Sequence, residues 1–137
     1  MRVAEIFRAL PVLEKIGTDE YLSFGFSLKM SDLLDEITKI REAYYKRINT
    51  LQQKYGEKDE DGQLKYDTQN EGTLEQVSYV IFREDNKSKY ISESQKLLEE
   101  EVEIKSSLLT IEELDKCGVG FSPVEISQLK PFIKREE

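Results

Sequence analysis

Apolar and polar residues between positions 27 and 56 follow the rhythm of one long helix. The apolar positions recur at alternating intervals of four and three residues, and they are Met30, Leu34, Ile37, Tyr44, Ile48, Leu51 and Tyr55. One more apolar residue is due at Arg41, which interrupts the series. This is the heptad seam by which one helix packs along another, so the pattern predicts a packing helix over about residues 28–55.

Polar residues mark both ends of this helix. Ser27 or Ser31 can serve as the N-cap, and Gly56 stands where a left-handed residue commonly ends a helix. At 1.5 Å per residue the helix would span roughly 40 Å. We therefore expect part of residues 26–56 to project from a domain of this size.

A second apolar stripe of helical period runs through the first seventeen residues. Pro11 interrupts the stripe and Gly17 closes it, which predicts a helix that is bent or restarted at the proline. Residues 18–26 connect the two helices. Their alternating aromatic residues fit either a loop or a short strand.

The pattern changes to short strands and turns after the long helix. Gly62 and Gly72 lie in turn signals, and alternating apolar residues predict strands over 63–67, 75–83 and 101–107. A further helix begins near Asp85, and capping boxes at Thr110 and Ser122 begin short C-terminal helices. The predicted fold is α+β in a single domain, residues 1–137, with the long helix packed on an N-terminal helix and a small antiparallel sheet.

Charge divides the chain at residue 57. Residues 1–56 carry nine Lys/Arg and eight Asp/Glu, whereas residues 57–137 carry eleven and twenty, within a net charge of −8. The excess acid repels phosphate backbones, so we expect no direct contact with nucleic acid. A protein with a basic surface is the more natural partner.

Several absences restrict the function. The chain has no histidine, one cysteine and no glycine-rich phosphate-binding motif, so we expect neither enzymatic activity nor a cofactor. No apolar run approaches the roughly 18 residues of a membrane span, and the N-terminus does not resemble a signal peptide. We expect a cytoplasmic protein without membrane contact.

The acidic turn after the long helix is the sharpest candidate for chemistry. Aligned with an EF-hand loop, Glu57, Asp59 and Asp61 occupy positions 1, 3 and 5, and Gly62 occupies position 6. Position 12 is Thr68 in place of the bidentate Glu, and no helical pattern follows. The missing ligand favours the alternative, a solvated acidic hairpin turn.

The seam residues are the predicted interface with a second copy or another partner. They are Met30, Leu34, Ile37, Arg41, Tyr44, Tyr45, Ile48 and Leu51. Arg41 either fixes the register of this contact and binds an anion, or pairs with a neighbouring glutamate, and we favour the pairing. In the anion-binding interpretation, Arg41, Arg47 and Lys54 would be the anion contacts.

Three segments together resemble small uncharacterised proteins encoded by tailed bacteriophages and prophages. They are KYGEKDEDGQ at 54–63, EVEI at 101–104, and GVGFSP at 118–123 followed by LKPFI at 129–133. The resemblance covers most of residues 27–133 and implies a phage origin, without any catalytic residues.

Two functions follow as hypotheses. The first is a non-enzymatic homo-oligomer that binds a host or virion protein in the bacterial cytoplasm, through helix packing and an acidic surface, and inhibition of host defence is one form of it. The alternative is a protein that sequesters a nucleotide or another anion at a subunit interface.

Overall fold

The computed structural model describes residues 1–135, which form five α-helices, one two-stranded sheet and a 3₁₀ turn. The elements are α1 (Val3–Gly17), α2 (Phe24–Tyr55), β1 (Tyr66–Gln69), β2 (Val77–Val80), α3 (Glu84–Glu99), α4 (Ile111–Lys116), α5 (Pro123–Leu129) and the 3₁₀ turn (Lys130–Phe132). The predicted α+β class is confirmed, with the long helix packed on the N-terminal helix, an antiparallel sheet and short C-terminal helices.

The chain divides into two compact units. The described part of unit 1 comprises residues 1–42 and 98–135, and unit 2 comprises residues 43–97. The division falls within α2, whose first part belongs to unit 1 and whose second part belongs to unit 2. The single-domain organisation stays a prediction.

Unit 1 contains the hydrophobic core. The core is built from α1, the first part of α2 and the C-terminal segments, and its buried residues are Ile6, Ala9, Val12, Leu13, Ile16, Phe26, Met30, Leu33, Ile37, Leu109, Leu129 and Phe132. Full burial of a large aliphatic or aromatic side chain contributes about 1.5–3 kcal/mol. This core therefore supplies most of the stabilisation of unit 1.

Helix α1 is continuous through Pro11, so the predicted restart at the proline is wrong. Proline removes one backbone hydrogen bond from a helix interior. Burial of Val12, Leu13 and Ile16 beyond it holds the following turns against the core. The helix ends at Gly17, as predicted.

Helix α2 begins earlier than either predicted cap. The hydroxyl of Ser23 accepts a hydrogen bond from the backbone N–H of Phe26 at 3.2 Å, and the helix starts at Phe24. Ser23 therefore occupies the capping position predicted for Ser27 or Ser31. Since Phe24 and Phe26 are helical, the short-strand alternative for residues 18–26 is also wrong.

Residues 101–107 do not form the predicted strand. Only Glu101 makes a bridge, with Arg2, and the N–H groups of Lys105 and Ser106 donate to the carboxylate of Glu36 at 2.8–3.0 Å. Val102 and Ile104 still point inward, as their alternation predicts. The backbone hydrogen bonds of the segment are therefore divided, since the N–H of Val102 donates to the carbonyl oxygen of Met1 at 2.7 Å and those of Lys105 and Ser106 donate to a helix side chain.

Unit 2 contains the hairpin. β1 and β2 pair antiparallel, with Tyr66 opposite Val80 and Gln69 opposite Val77. β1 begins three residues later and ends two residues later than the predicted strand over 63–67, and β2 is shorter than the predicted strand over 75–83. Both strands are exposed along nearly their whole length. Gly72, with φ of +79°, lies in the turn between them, where a left-handed residue is needed.

Candidate functional site

The predicted interface residues of unit 1 lie largely inside the chain's own core. Met30 and Ile37 are fully buried, and Leu34 is half-buried against the same core. The heptad spacing is used for packing within the chain, so Met30 and Ile37 are not available to a second copy while unit 1 is folded. An interface contact through the half-buried Leu34 and Arg41 stays a prediction.

The predicted interface residues of unit 2 vary in exposure. Ile48 is buried, Leu51 is half-buried and Tyr45 is exposed. Burial raises the pKa of the Tyr44 phenol above its ordinary value, and the nearby Tyr90 and Tyr45 rings add to the effect. The tyrosine pair meets edge to face, with ring centroids 5.4 Å apart.

The three predicted anion contacts all have partners within the chain. Arg41 lies 3.8 Å from the carboxylate of Glu14, as in the pairing interpretation, and both side chains are half-exposed. The Lys54 ammonium lies 5.1 Å from the centroid of the Tyr55 ring. Arg47 also has an interaction partner. Anion binding by these residues stays a prediction.

The acidic turn is organised by one aspartate. The carboxylate of Asp59 accepts hydrogen bonds from the backbone N–H groups of Asp61 at 2.9 Å and Gln63 at 3.0 Å. Gly62 adopts a φ of +77°, and Glu57 pairs with Lys65 at 3.5 Å. Within residues 1–135, no three acidic or cysteine side chains are grouped closely enough to hold a metal ion. The metal hypothesis stays a prediction.

An exposed aromatic patch lies at the start of α2 in unit 1. We define it as Tyr21, Phe24 and Leu28, with Tyr21 87% exposed and Phe24 83% exposed. Phe24 and Leu28 are four residues apart and share one face of the helix. Tyr21 precedes the helix, and its N–H donates to the Asp19 carboxylate at 3.0 Å. Large aromatic side chains at this exposure are typical of contact surfaces.

A cavity of about 550 Å³ adjoins the aromatic patch at Tyr21. Its lining includes Leu22, Phe26 and Cys117 together with the charged residues of α4. The charges of α4 are paired, Glu113 with Lys29 at 2.7 Å and Glu112 with Lys116 at 2.7 Å. The cavity therefore combines apolar side chains with paired charges.

At Glu113, which lines this cavity, hydrogen bonds change the pKa more than burial does. Burial alone would raise the pKa of Glu113, but hydrogen bonds from Lys29 and from Thr110 lower it below its ordinary value. The carboxylate is therefore ionised at neutral pH and closes the capping box of α4. The carboxylate of Glu113 holds α4 in place, since it binds Lys29 of α2 and the N-cap residue Thr110.

Sequence reasoning missed the aromatic patch. Tyr21 and Phe24 lie within the connector of residues 18–26, and the alternating aromatic residues of this connector fit a loop or a short strand. The available signal was the serine at position 23, because a cap there would place Phe24 and Leu28 on one helical face. Their exposure could not be known without the core that covers the opposite face.

Comparisons with protein-family models, with curated proteins and with solved structures found no match. In the described part of the chain, none of the helices has the length and apolar character needed to cross a membrane.

Proposed function

We propose that this protein is a non-enzymatic binding protein of bacteriophage type, which assembles as a homo-oligomer and binds a host or virion protein in the bacterial cytoplasm. The observation that carries the proposal is the exposure of Tyr21 and Phe24 at the start of α2. Inhibition of a host defence protein is one form that this function would take.

The aromatic patch takes over the contact role predicted for the first half of the helix seam. Met30 and Ile37 are buried within the chain, whereas Tyr21, Phe24 and Leu28 are exposed on the same helix or beside it. Tyrosine and other aromatic residues dominate the energetics of protein interfaces because each buries a large area at a low cost in conformational entropy.

The acidic excess of residues 57–137 indicates the chemistry of the partner. The charges that line the cavities beside the aromatic patch are mixed in sign, with Glu112, Glu113 and Lys116 in one cavity and Lys29, Asp32 and Lys105 in the other. A partner with an apolar anchor flanked by Lys or Arg would complement the acidic excess.

Site-specific photo-cross-linking tests this proposal. A photoreactive phenylalanine analogue replaces Phe24, and a matched control carries it at Tyr79, an exposed aromatic position in unit 2. We expect position 24 to form an adduct with a second copy and with one discrete protein from a bacterial lysate. The same adducts from both positions, or none from position 24, would contradict the proposal.

Sedimentation equilibrium tests the oligomer separately. We expect the intact protein to have a mass above that of one chain, and Phe24→Ser to shift it toward the monomer. A strictly monomeric wild-type protein would remove the oligomeric part of the proposal.

A further inference from the structure

The C-terminal elements of unit 1 line an apolar groove. The groove has a volume of about 460 Å³ and is lined by six apolar side chains, Ile111, Leu114, Phe121, Ile126, Leu129 and Ile133. This volume is within the range of about 300–1,000 Å³ that is typical of small-molecule sites. Ile111 and Ile126 remain exposed, so their apolar surface is uncovered.

A smaller cavity, which we call the basic hollow, adjoins one end of the groove. It has a volume of about 300 Å³, and Arg8 of α1 lines it together with Lys130 and Arg135. Lys130 and Arg135 also line the apolar groove. The two cavities therefore share a wall of positive charge.

The cations of the basic hollow lack carboxylate partners. Within residues 1–135, no ion pair includes Arg8, Lys130 or Arg135, although acids outnumber bases in the chain. Glu5, which also lines the hollow, is paired with Arg2 at 3.2 Å. The basic hollow is therefore suited to an anion from outside the chain.

The charges indicate an anionic ligand. The lining of the two cavities has three cations and two carboxylates, Glu5 in the hollow and Asp115 in the groove, and Glu5 is already paired with Arg2. The lining residues thus retain an excess of positive charge. A carboxylate head group would accept charge-assisted hydrogen bonds from these arginine and lysine side chains.

We propose that the apolar groove and the basic hollow together bind a long-chain carboxylate, with the hydrocarbon chain in the groove and the carboxylate against Arg8, Lys130 and Arg135. Apolar side chains take the chain because its burial releases water from both surfaces. Arginine and lysine take the carboxylate through charge-assisted hydrogen bonds. This site shares no residue with the aromatic patch.

Isothermal titration of the full chain with a series of carboxylates of eight to fourteen carbons tests the site, below their micellar concentrations. We expect saturable binding of one carboxylate per chain. Each methylene that is fully buried strengthens binding by up to about fourfold, so affinity rises with chain length until the groove is filled. Absence of saturable binding at millimolar decanoate would overturn the proposal.

Head-group variation separates the carboxylate from other ligands. We expect decanoate to bind at least about tenfold more tightly than decanol, because the alcohol leaves the cations without an anionic partner. Equal binding of decanol would overturn the role of the basic hollow. Tighter binding of decyl phosphate than of decanoate would overturn the assignment of a carboxylate head group.

Two pairs of variants locate the binding site. We expect Lys130→Gln to weaken decanoate binding about tenfold, while Lys134→Gln, which removes a neighbouring cation that lines neither cavity, leaves it unchanged. Likewise, Ile126→Ser weakens binding, whereas Val124→Ser on the same helix does not. Equal effects of the two substitutions within either pair would overturn the placement of the carboxylate in the groove and the hollow. All four residues are exposed, and circular dichroism of each variant checks that it is folded.

Discussion

Thirteen of the fifteen buried hydrophobic residues in the described chain belong to unit 1, and two belong to unit 2. Those two, Ile48 and Leu97, are each 8% exposed, whereas most of the unit 1 core is completely buried. The units therefore rest on different interactions. Unit 1 is held by a packed core, and unit 2 depends more on turns, hairpin hydrogen bonds and surface contacts.

Particular contacts in unit 2 show how little of its stabilisation comes from a core. Phe82 and Tyr90 stack with centroids 4.5 Å apart, and the hydroxyl of Tyr55 donates to Glu93 at 2.7 Å. All of these side chains are only half-buried. Elements with few buried apolar contacts open at a lower free energy than a packed core. The comparison thus predicts that unit 2 opens locally while unit 1 stays folded.

The largest expected effect comes from matched leucine truncations in the two units. Leu13→Ala removes a completely buried side chain from the unit 1 core and should lower the free energy of unfolding by about 2–5 kcal/mol. Leu97→Ala makes the same chemical change in unit 2 and should cost less. Urea denaturation monitored by circular dichroism measures the free energy of unfolding of both variants. Equal losses would contradict the distinction between the units.

A glycine substitution probes unit 2 directly. In Gly56→Ala the new Cβ would lie 2.5 Å from the carbonyl oxygen of Gln52 and 2.5 Å from the Leu64 side chain. We expect a loss of about 1–3 kcal/mol, seen as faster hydrogen exchange of the β1 and β2 amides with α1 unchanged. An equal increase in exchange throughout α1 would show that the units open together.

Gly25→Ala is the control for this substitution. The added Cβ meets no other atom within 4 Å, and the residue lies in helix α2. The change should stabilise the protein by about 0.4–1 kcal/mol, because alanine restricts the unfolded chain. A loss similar to that of Gly56→Ala would mean that the steric explanation is wrong.

A modest effect is expected at Glu36, which binds residues 105 and 106 in unit 1. Burial alone would raise the pKa of Glu36, but the backbone hydrogen bonds from Ser106 and Lys105 lower it below its ordinary value near 4.5. Glu36→Gln keeps an acceptor and removes the charge, so we expect a loss of about 1 kcal/mol at pH 7.

The pH dependence of this loss follows from the lowered pKa. A carboxylate with a lowered folded-state pKa stabilises the fold fully above its unfolded-state value, and the stabilisation disappears as the pH falls through the folded-state value. The difference between wild type and Glu36→Gln should therefore shrink below about pH 4. Denaturation at several pH values measures it, and a constant difference would exclude the charge as the cause.

Local signals in the sequence correctly predicted several elements. The capping boxes at Thr110 and Ser122 both form, because each requires only residues within one turn of helix. The long helix ends at Tyr55, directly before Gly56 as predicted, but Gly56 does not adopt the predicted left-handed conformation. By contrast, residues 101–107 have the apolar alternation of a strand, and alternation does not reveal which group will accept the backbone hydrogen bonds.

The sequence alone determined the helical periods, the caps, the turns and the division of charge at residue 57, since each depends on residues close together in the chain. Tertiary structure decided which apolar residues remained available. It buried Met30 and Ile37 against α1, left Tyr21 and Phe24 exposed, and brought Arg8 beside Lys130 and Arg135. A heptad seam predicts that a helix will pack, but only the folded chain shows against which surface, because the same apolar stripe fits a neighbouring helix or a second copy.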